Sequence, residues 1–181
     1  ASSSALAARY LAREDAGTLA LFGSGWQAGS HVPAMCAARP IKRVNVFSPT
    51  KPNGETFVKE MQQKVGADVR AVNSPEEVIK DADIIAATTN SHTRVVSGDW
   101  VKPGLHLTCV RVPELGDDTI KKIDRLVIHA HQHAPKNYIA GYGEEGIEAH
   151  DAIDIIGKGP ARAHEVKVEH PFWLSAPELK D

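Results

Sequence analysis

Short apolar runs alternate along the chain with longer amphipathic stretches: TLALFG then WQAGSHVPAMCAAR, RVNVFS then GETFVKEMQQKVG, DVRAV then SPEEVIKDA, DIIAATT, HLTCV then DDTIKKI, and finally DRLVIHA. Runs of this length read as buried strands, and the stretches between them as crossover helices, so the pattern is a βαβ unit repeated. It predicts an α/β fold with a doubly wound, mostly parallel sheet covered on both faces. ASSSALAARYLA predicts a leading helix within residues 1–16, with Leu6, Tyr10 and Leu11 on one side, and the core follows over 17–140. Local punctuation agrees. Ser74 can cap a helix with Pro75 at its first position and Glu76 and Glu77 in its first turn, and Pro103-Gly104 breaks the chain before HLTCV. From about Gly141 to Lys180 the alternation fails, and GYGEEG, GKGP and HPFW space out short irregular pieces. Residues 141–181 are therefore expected as an irregular extension of a single domain spanning 1–181.

Composition narrows the partners. A formal charge of -2 and a pI near 6.5 provide no global basic field, which argues against nucleic acid or an anionic membrane and for a small ligand recognised locally. No apolar stretch approaches the ~20 residues that span a bilayer, and the N-terminus lacks the charged and apolar regions of a signal peptide. Cys36 and Cys109 stand far apart in apolar settings, as two buried thiols of a reducing compartment do, so the cytoplasm is expected. The helical spacing at the very start, and WLSAPELKD at the end, give both termini the look of cuts from something longer.

The chemistry begins at LALFGSGWQAGS, residues 19–30. In a doubly wound sheet the first βα turn seats a dinucleotide pyrophosphate, and G-x-G-x-x-G/A is its fingerprint. Gly23 would make the tight turn, Gly25 would let the backbone approach the phosphates, and Ala28 would let the helix pack on the strand. Glycines also end strands for steric reasons alone; here the motif follows a strand, opens a helix near Trp26 and starts a βαβ unit of the expected ~30 residues, which makes the domain Rossmann-type. About 20 residues on, an NAD site would place an acid for the ribose hydroxyls. This chain has VFSPTK there, with Ser48, Thr50 and Lys51 and no carboxylate, which favours NADP(H), with NAD(H) the alternative.

SALAARYLARED leading into ALFGSGWQA, then ADIIAATTNS and GDWVKPGLHLTCV, resembles the nucleotide domain of the ornithine cyclodeaminase/mu-crystallin family, which includes alanine dehydrogenases and ketimine or pyrroline-carboxylate reductases. The likeness covers roughly residues 1 to 128, with a weaker echo at APELKD. It implies that Gly23, Ser24, Gly25, Trp26, Gln27 and Ala28 hold the pyrophosphate, that Ser48, Thr50 and Lys51 read the 2′-phosphate, and that Thr88, Thr89, Asn90 and Val110 lie near the nicotinamide end. It also implies a small amino acid or cyclic imine as substrate, and a homodimer formed through a separate substrate domain that this chain does not carry. One segment departs from the family. Where the resemblance leads one to expect V-G-x-D with a catalytic aspartate, the chain reads VRVPELGDD: Arg111 replaces glycine, Pro113 falls near the aspartate, and Glu114 or Asp117 is left as the catalytic candidate. Hydride transfer to a small imine carboxylate, or dehydrogenation of an amino acid, is the expected activity. The alternatives are a cyclodeaminase with internally recycled NAD and a nucleotide-binding protein without turnover.

Other groups have plainer roles open to them. HAHQH could bring His129, His131 and His133 onto one face, with His150 and Asp151 joining them, but solvent-facing or cleft histidines at a strand end are the simpler reading and no metal site is expected. Glu144, Glu145 or His150 could supply a general acid, although acidic loops are commonly just solvated. Trp26 reads as a packing or cofactor-shielding residue, and Cys109 as a small buried hydrophobe.

Overall fold

The computed structural model describes residues 1–123 together with the backbone of Arg125–Val127 and Glu148–His150. All the strands predicted up to Val110 form: β1 (Thr18–Phe22), β2 (Arg43–Phe47), β3 (Asp68–Val72), β4 (Ile84–Ala87) and β5 (His106–Cys109). They make one parallel five-stranded sheet in the order β3-β2-β1-β4-β5. Helices α1 (Ser2–Leu11), α2 (Trp26–Ala38), α3 (Lys51–Gln62), α4 (Pro75–Val78) and α5 (Asp117–Ile120) connect and flank it, with 3-10 turns at Gly98–Trp100 and Val112–Glu114. Residues 1–120 make one compact unit and 121–181 another. In the second, β6 (Arg125–Val127) pairs in parallel with β7 (Glu148–His150), so DRLVIHA begins as a strand of its own two-stranded sheet.

The period of two along each strand sorts the core into two layers. Leu19, Leu21, Val44, Val46, Ile84 and Ala86 pack with Ala8 of α1, Val32 and Met35 of α2, and Phe57 and Met61 of α3. Ala20, Phe22, Ile85 and Ala87 face the opposite side with Val78, Val96 and Trp100. The leading helix forms as expected but presents alanines to the core: Ala8 and Ala12 are buried, while Leu6, Tyr10 and Leu11 are half-buried. Small side chains let α1 lie close on α2, and the Arg39 guanidinium closes its C-terminus by donating to the carbonyls of Arg9 and Ala12. Ser74 caps α4 as predicted, its hydroxyl accepting from the Glu77 N–H.

His106, at the start of β5, is buried, and its Nε2 has no partner among the described residues. Burial, and secondarily the Arg39 charge, pulls its pKa from 6.5 down to about 4; burial also lowers His31. Between those values the unfolded chain binds a proton that the fold excludes, so stability is complete above pH 6.5 and falls as the pH drops towards 4. His106 accounts for about 3 kcal/mol of that loss. Thermal melts from pH 7 to 4 should show this slope and His106→Leu should flatten most of it, whereas an unchanged slope in the variant would place the acid sensitivity elsewhere.

Candidate functional site

Strands β1 to β3 step across the sheet in one direction and β4 and β5 in the other, so the topology reverses between β1 and β4. Open α/β sheets bind ligands in the crevice at the carboxyl ends of the strands flanking such a reversal. Gly23 sits there with φ +101°, and a Cβ on it would stand 3.0 Å from the Thr88 carbonyl oxygen and 3.3 Å from the Thr89 methyl, so only glycine suits the turn. Its N–H donates to the Phe47 carbonyl at 2.9 Å, while the N–H and Oγ1 of Thr88 both donate to the Phe22 carbonyl at 2.9 Å. These bonds join the ends of β1, β2 and β4 into one rim.

Gly25 is the N-cap of α2 and is exposed, and a Cβ there would meet nothing within 4 Å. No side chain caps the 13-residue helix and no acid lies in its first turn. Its leading N–H groups and the positive end of its dipole are therefore left to an anion, and the open backbone at Gly25 admits a pyrophosphate. Ala28 is fully buried where the helix meets the core, and Trp26 is 87% exposed, which leaves it free to shield a ligand and excludes the packing role. The Gln27 carbonyl accepts from His31 Nδ1 at 2.7 Å, leaving Nε2 to face the Ser4 hydroxyl at 3.2 Å and tying the loop to α1.

At the end of β2, Ser48 accepts a hydrogen bond from the Ser24 hydroxyl at 2.9 Å, which connects the loop after β1 to the loop after β2. Helix α3 begins at Lys51, three residues before the predicted GETF, with Thr50 as an N-cap whose side chain makes no capping bond. Beside it opens a cleft of about 430 Å³ lined by Phe47, Ser48, Lys51, Gly54, Glu55 and Asn73. Glu55 is the residue that reading along β2 missed. It lies one helical turn beyond Lys51, and the i, i+4 spacing was the signal that could have found it.

The loops after β4 and β5 meet on the other side of the reversal. Thr88 is buried, Thr89 half-buried and Asn90 exposed, and the Asn90 carbonyl accepts from the Arg111 guanidinium at 2.9 Å. Val110 is 39% exposed directly after β5. The two catalytic candidates part company here. Glu114 is fully buried, with its carboxylate accepting from Thr89 and from the N–H groups of Val110 and Arg111, an arrangement that ties the loops after β4 and β5 together. Asp117 is exposed at the first position of α5. Burial, with the Glu114 charge second, pushes the Cys109 thiol up to about 12, and it stays a protonated, half-buried side chain. His129, His131, His133, Glu144, Glu145 and Asp151 lie outside the described residues, and His150 is described only as backbone in β7. Among the described residues no group of three or more His, Cys, Asp or Glu could hold a metal, and no helix is long and apolar enough to cross a membrane.

The sequence model of the ornithine cyclodeaminase/mu-crystallin family matches residues 1–145. The chain is 32% identical to a delta(1)-pyrroline-2-carboxylate reductase of Bacillus cereus over 136 residues, 72% of this chain and 42% of that protein. It is 33% identical to the ketimine reductase mu-crystallin of Macropus fuliginosus over 123 residues, 65% of this chain and 38% of that one. Among solved structures, the Thermococcus litoralis delta(1)-pyrroline-2-carboxylate reductase in complex with NADH and L-proline superposes with a TM-score of 0.76 at 26% identity, covering 92% of this chain and 56% of its own. An archaeal alanine dehydrogenase dimer with bound NAD gives 0.71 at 22% identity, covering 92% and 54%, a likeness of fold. The chain thus spans about four tenths of the length of the curated relatives it matches.

Proposed function

Since the chain belongs to the ornithine cyclodeaminase/mu-crystallin family, we propose that it is the nicotinamide-dinucleotide domain of an enzyme that reduces a small imine carboxylate or, in reverse, dehydrogenates an amino acid. The observation that carries this reading is the bare N-terminus of α2 behind Gly23 and Gly25 at the sheet's reversal point. In it, Gly23, Ser24, Gly25, Trp26 and Gln27 hold the pyrophosphate, Ser48, Thr50 and Lys51 the adenosine ribose, and Thr88, Thr89, Asn90 and Val110 the nicotinamide end. When bound, the cofactor supplies or accepts the hydride. The chain's own contribution is to orient the reacting ring and keep the rim rigid. The reductase relatives support the substrate class, the dimeric alanine dehydrogenase supports a homodimer, and the two free thiols, Cys36 and Cys109, support the cytoplasm.

Ser48 and Lys51 beside the cleft support NADP(H). Glu55 in the same cleft supports NAD(H) as the second reading, since a carboxylate accepts from ribose hydroxyls and repels a phosphate. Lys51→Glu should weaken NADPH about tenfold and leave NADH nearly unchanged, and Glu55→Gln should tighten NADPH. Equal losses for both cofactors in Lys51→Glu would overturn the 2′-phosphate assignment. Turnover separates the wider alternatives: NADPH consumed with a cyclic imine carboxylate marks a reductase, ammonia released from ornithine without net consumption marks a cyclodeaminase, and binding with neither marks a protein without turnover.

A further inference from the structure

Glu114 is the one fully buried acid among the described residues. Its Oε1 accepts from the Thr89 N–H and the Thr89 hydroxyl, both at 2.6 Å, and its Oε2 accepts from the N–H groups of Val110 and Arg111, both at 2.9 Å. Its backbone adds a third segment: the Glu114 carbonyl accepts from Val95 at 2.8 Å and Val96 at 3.0 Å, and its N–H donates to the Arg111 carbonyl at 3.1 Å. No cation forms a salt bridge with it among the described residues. A buried carboxylate is costly unless several donors converge on it, and each bond to a charged acceptor is stronger than a neutral one. Here one side chain spends all of its acceptor capacity on tying the loop after β4 to the loop after β5.

We propose that Glu114 is the positioning residue for the nicotinamide end of the site. The inference rests on the dinucleotide reading above and deepens it: Glu114 touches neither cofactor nor substrate, and acts through Thr89 and the Val110–Arg111 peptide, which it holds in place before any ligand arrives. Pre-ordered loops bind without the entropic cost of ordering them at the moment of binding. Arg111 makes a second tie across the same gap, its guanidinium donating to the Asn90 carbonyl and meeting His92 Nδ1 at 3.3 Å, but that tie is exposed whereas the Glu114 side chain is fully buried. The adenosine half of the ligand, read at Gly25 and Ser48, has no such dependence on Glu114.

That asymmetry sets the test. Calorimetric affinities for NADPH and for adenosine 2′,5′-bisphosphate, the same half-molecule without nicotinamide, are compared in the wild-type protein and in Glu114→Gln, which keeps the shape but turns an N–H donor towards N–H donors. The expected result is a loss of about tenfold for NADPH with the bisphosphate nearly unchanged. Equal losses would make Glu114 a plain structural support, and no loss for either ligand would leave the loops independent of it; each overturns the proposal. Where NADH is the cofactor bound, NADH and adenosine 5′-monophosphate take the places of these two ligands; wild-type protein that binds neither NADPH nor NADH removes the dinucleotide reading itself, and the proposal with it, and is told apart because it needs no variant. Should Glu114→Gln fail to fold, Glu114→Asp keeps the charge but shortens its reach by one methylene and should show the same split at smaller size; absence of a split there overturns the proposal as well.

Discussion

Gly25→Ala should leave the fold intact and remove most of the affinity for a dinucleotide. The residue has φ -90° and ψ -168°, a conformation alanine adopts freely, and a Cβ would point into space with nothing within 4 Å. The methyl therefore costs the free protein little, and melting should shift by no more than about 2 °C. What it occupies is the approach to the first N–H groups of α2, where a phosphate must come within hydrogen-bond distance of the backbone. Loss of one or two charge-assisted bonds corresponds to a Kd raised about a hundredfold. A variant that melts normally and binds NADPH as well as the wild type would show that no pyrophosphate sits at this loop. Gly23→Ala makes the contrast, since its positive φ and the 3.0 Å approach of the Thr88 carbonyl would disturb the rim itself.

The largest loss of stability is expected from Gly98→Ala. A Cβ at this position would collide with the Asp118 carbonyl oxygen and stand 2.7 Å from its carbon, so it meets backbone and no flexible side-chain end can yield. The contact is held from both sides. The Gly98 N–H donates to Asp118 Oδ2 at 2.9 Å, and that bond, helped by Arg94 at 3.0 Å, keeps the Asp118 carboxyl below its ordinary range. Thr119 Oγ1 donates to the Val96 carbonyl at 2.9 Å in the same knot, next to the Val95 and Val96 N–H groups that reach Glu114. Forcing these segments apart should cost about 3 kcal/mol or more, read as a lower denaturant midpoint with an unchanged slope. A midpoint within about 1 kcal/mol of wild type would mean that the two segments do not pack as closely as described.

The parts of the fold that sequence made legible are those whose causes are local. TLALF is apolar because β1 lies in the middle of a parallel sheet, and the turn after it needs Gly23 because its φ is positive, so motif and cause coincide within a few residues. The same holds for the cap at Ser74. Glu114 was legible as a candidate, but its burial was not: the burial arises where loops 21 or more residues apart, around Thr89 and Val110, return to one point, and nothing in VPEL announces that. Glu55 was hidden for a smaller reason, since it lies off the strand pattern and only the helical turn from Lys51 brings the acid back to the cleft. The alanine face of α1 was hidden by its larger neighbours, because close helix packing selects for small residues and a hydrophobic pattern weights large ones. The knot at Gly98 and Asp118 likewise depends on tertiary return, with no periodic signal in GDW or GDD.

The central claim is that the rim from Gly23 to Ser48 holds a nicotinamide dinucleotide. Calorimetric titration of the 181-residue chain with NADPH and, separately, NADH tests it most directly. Saturable binding at one site per chain, tighter for NADPH, is the expected result. No binding of either cofactor by a chain whose melting shows it folded would contradict the claim and reduce residues 23–28 to a tight turn.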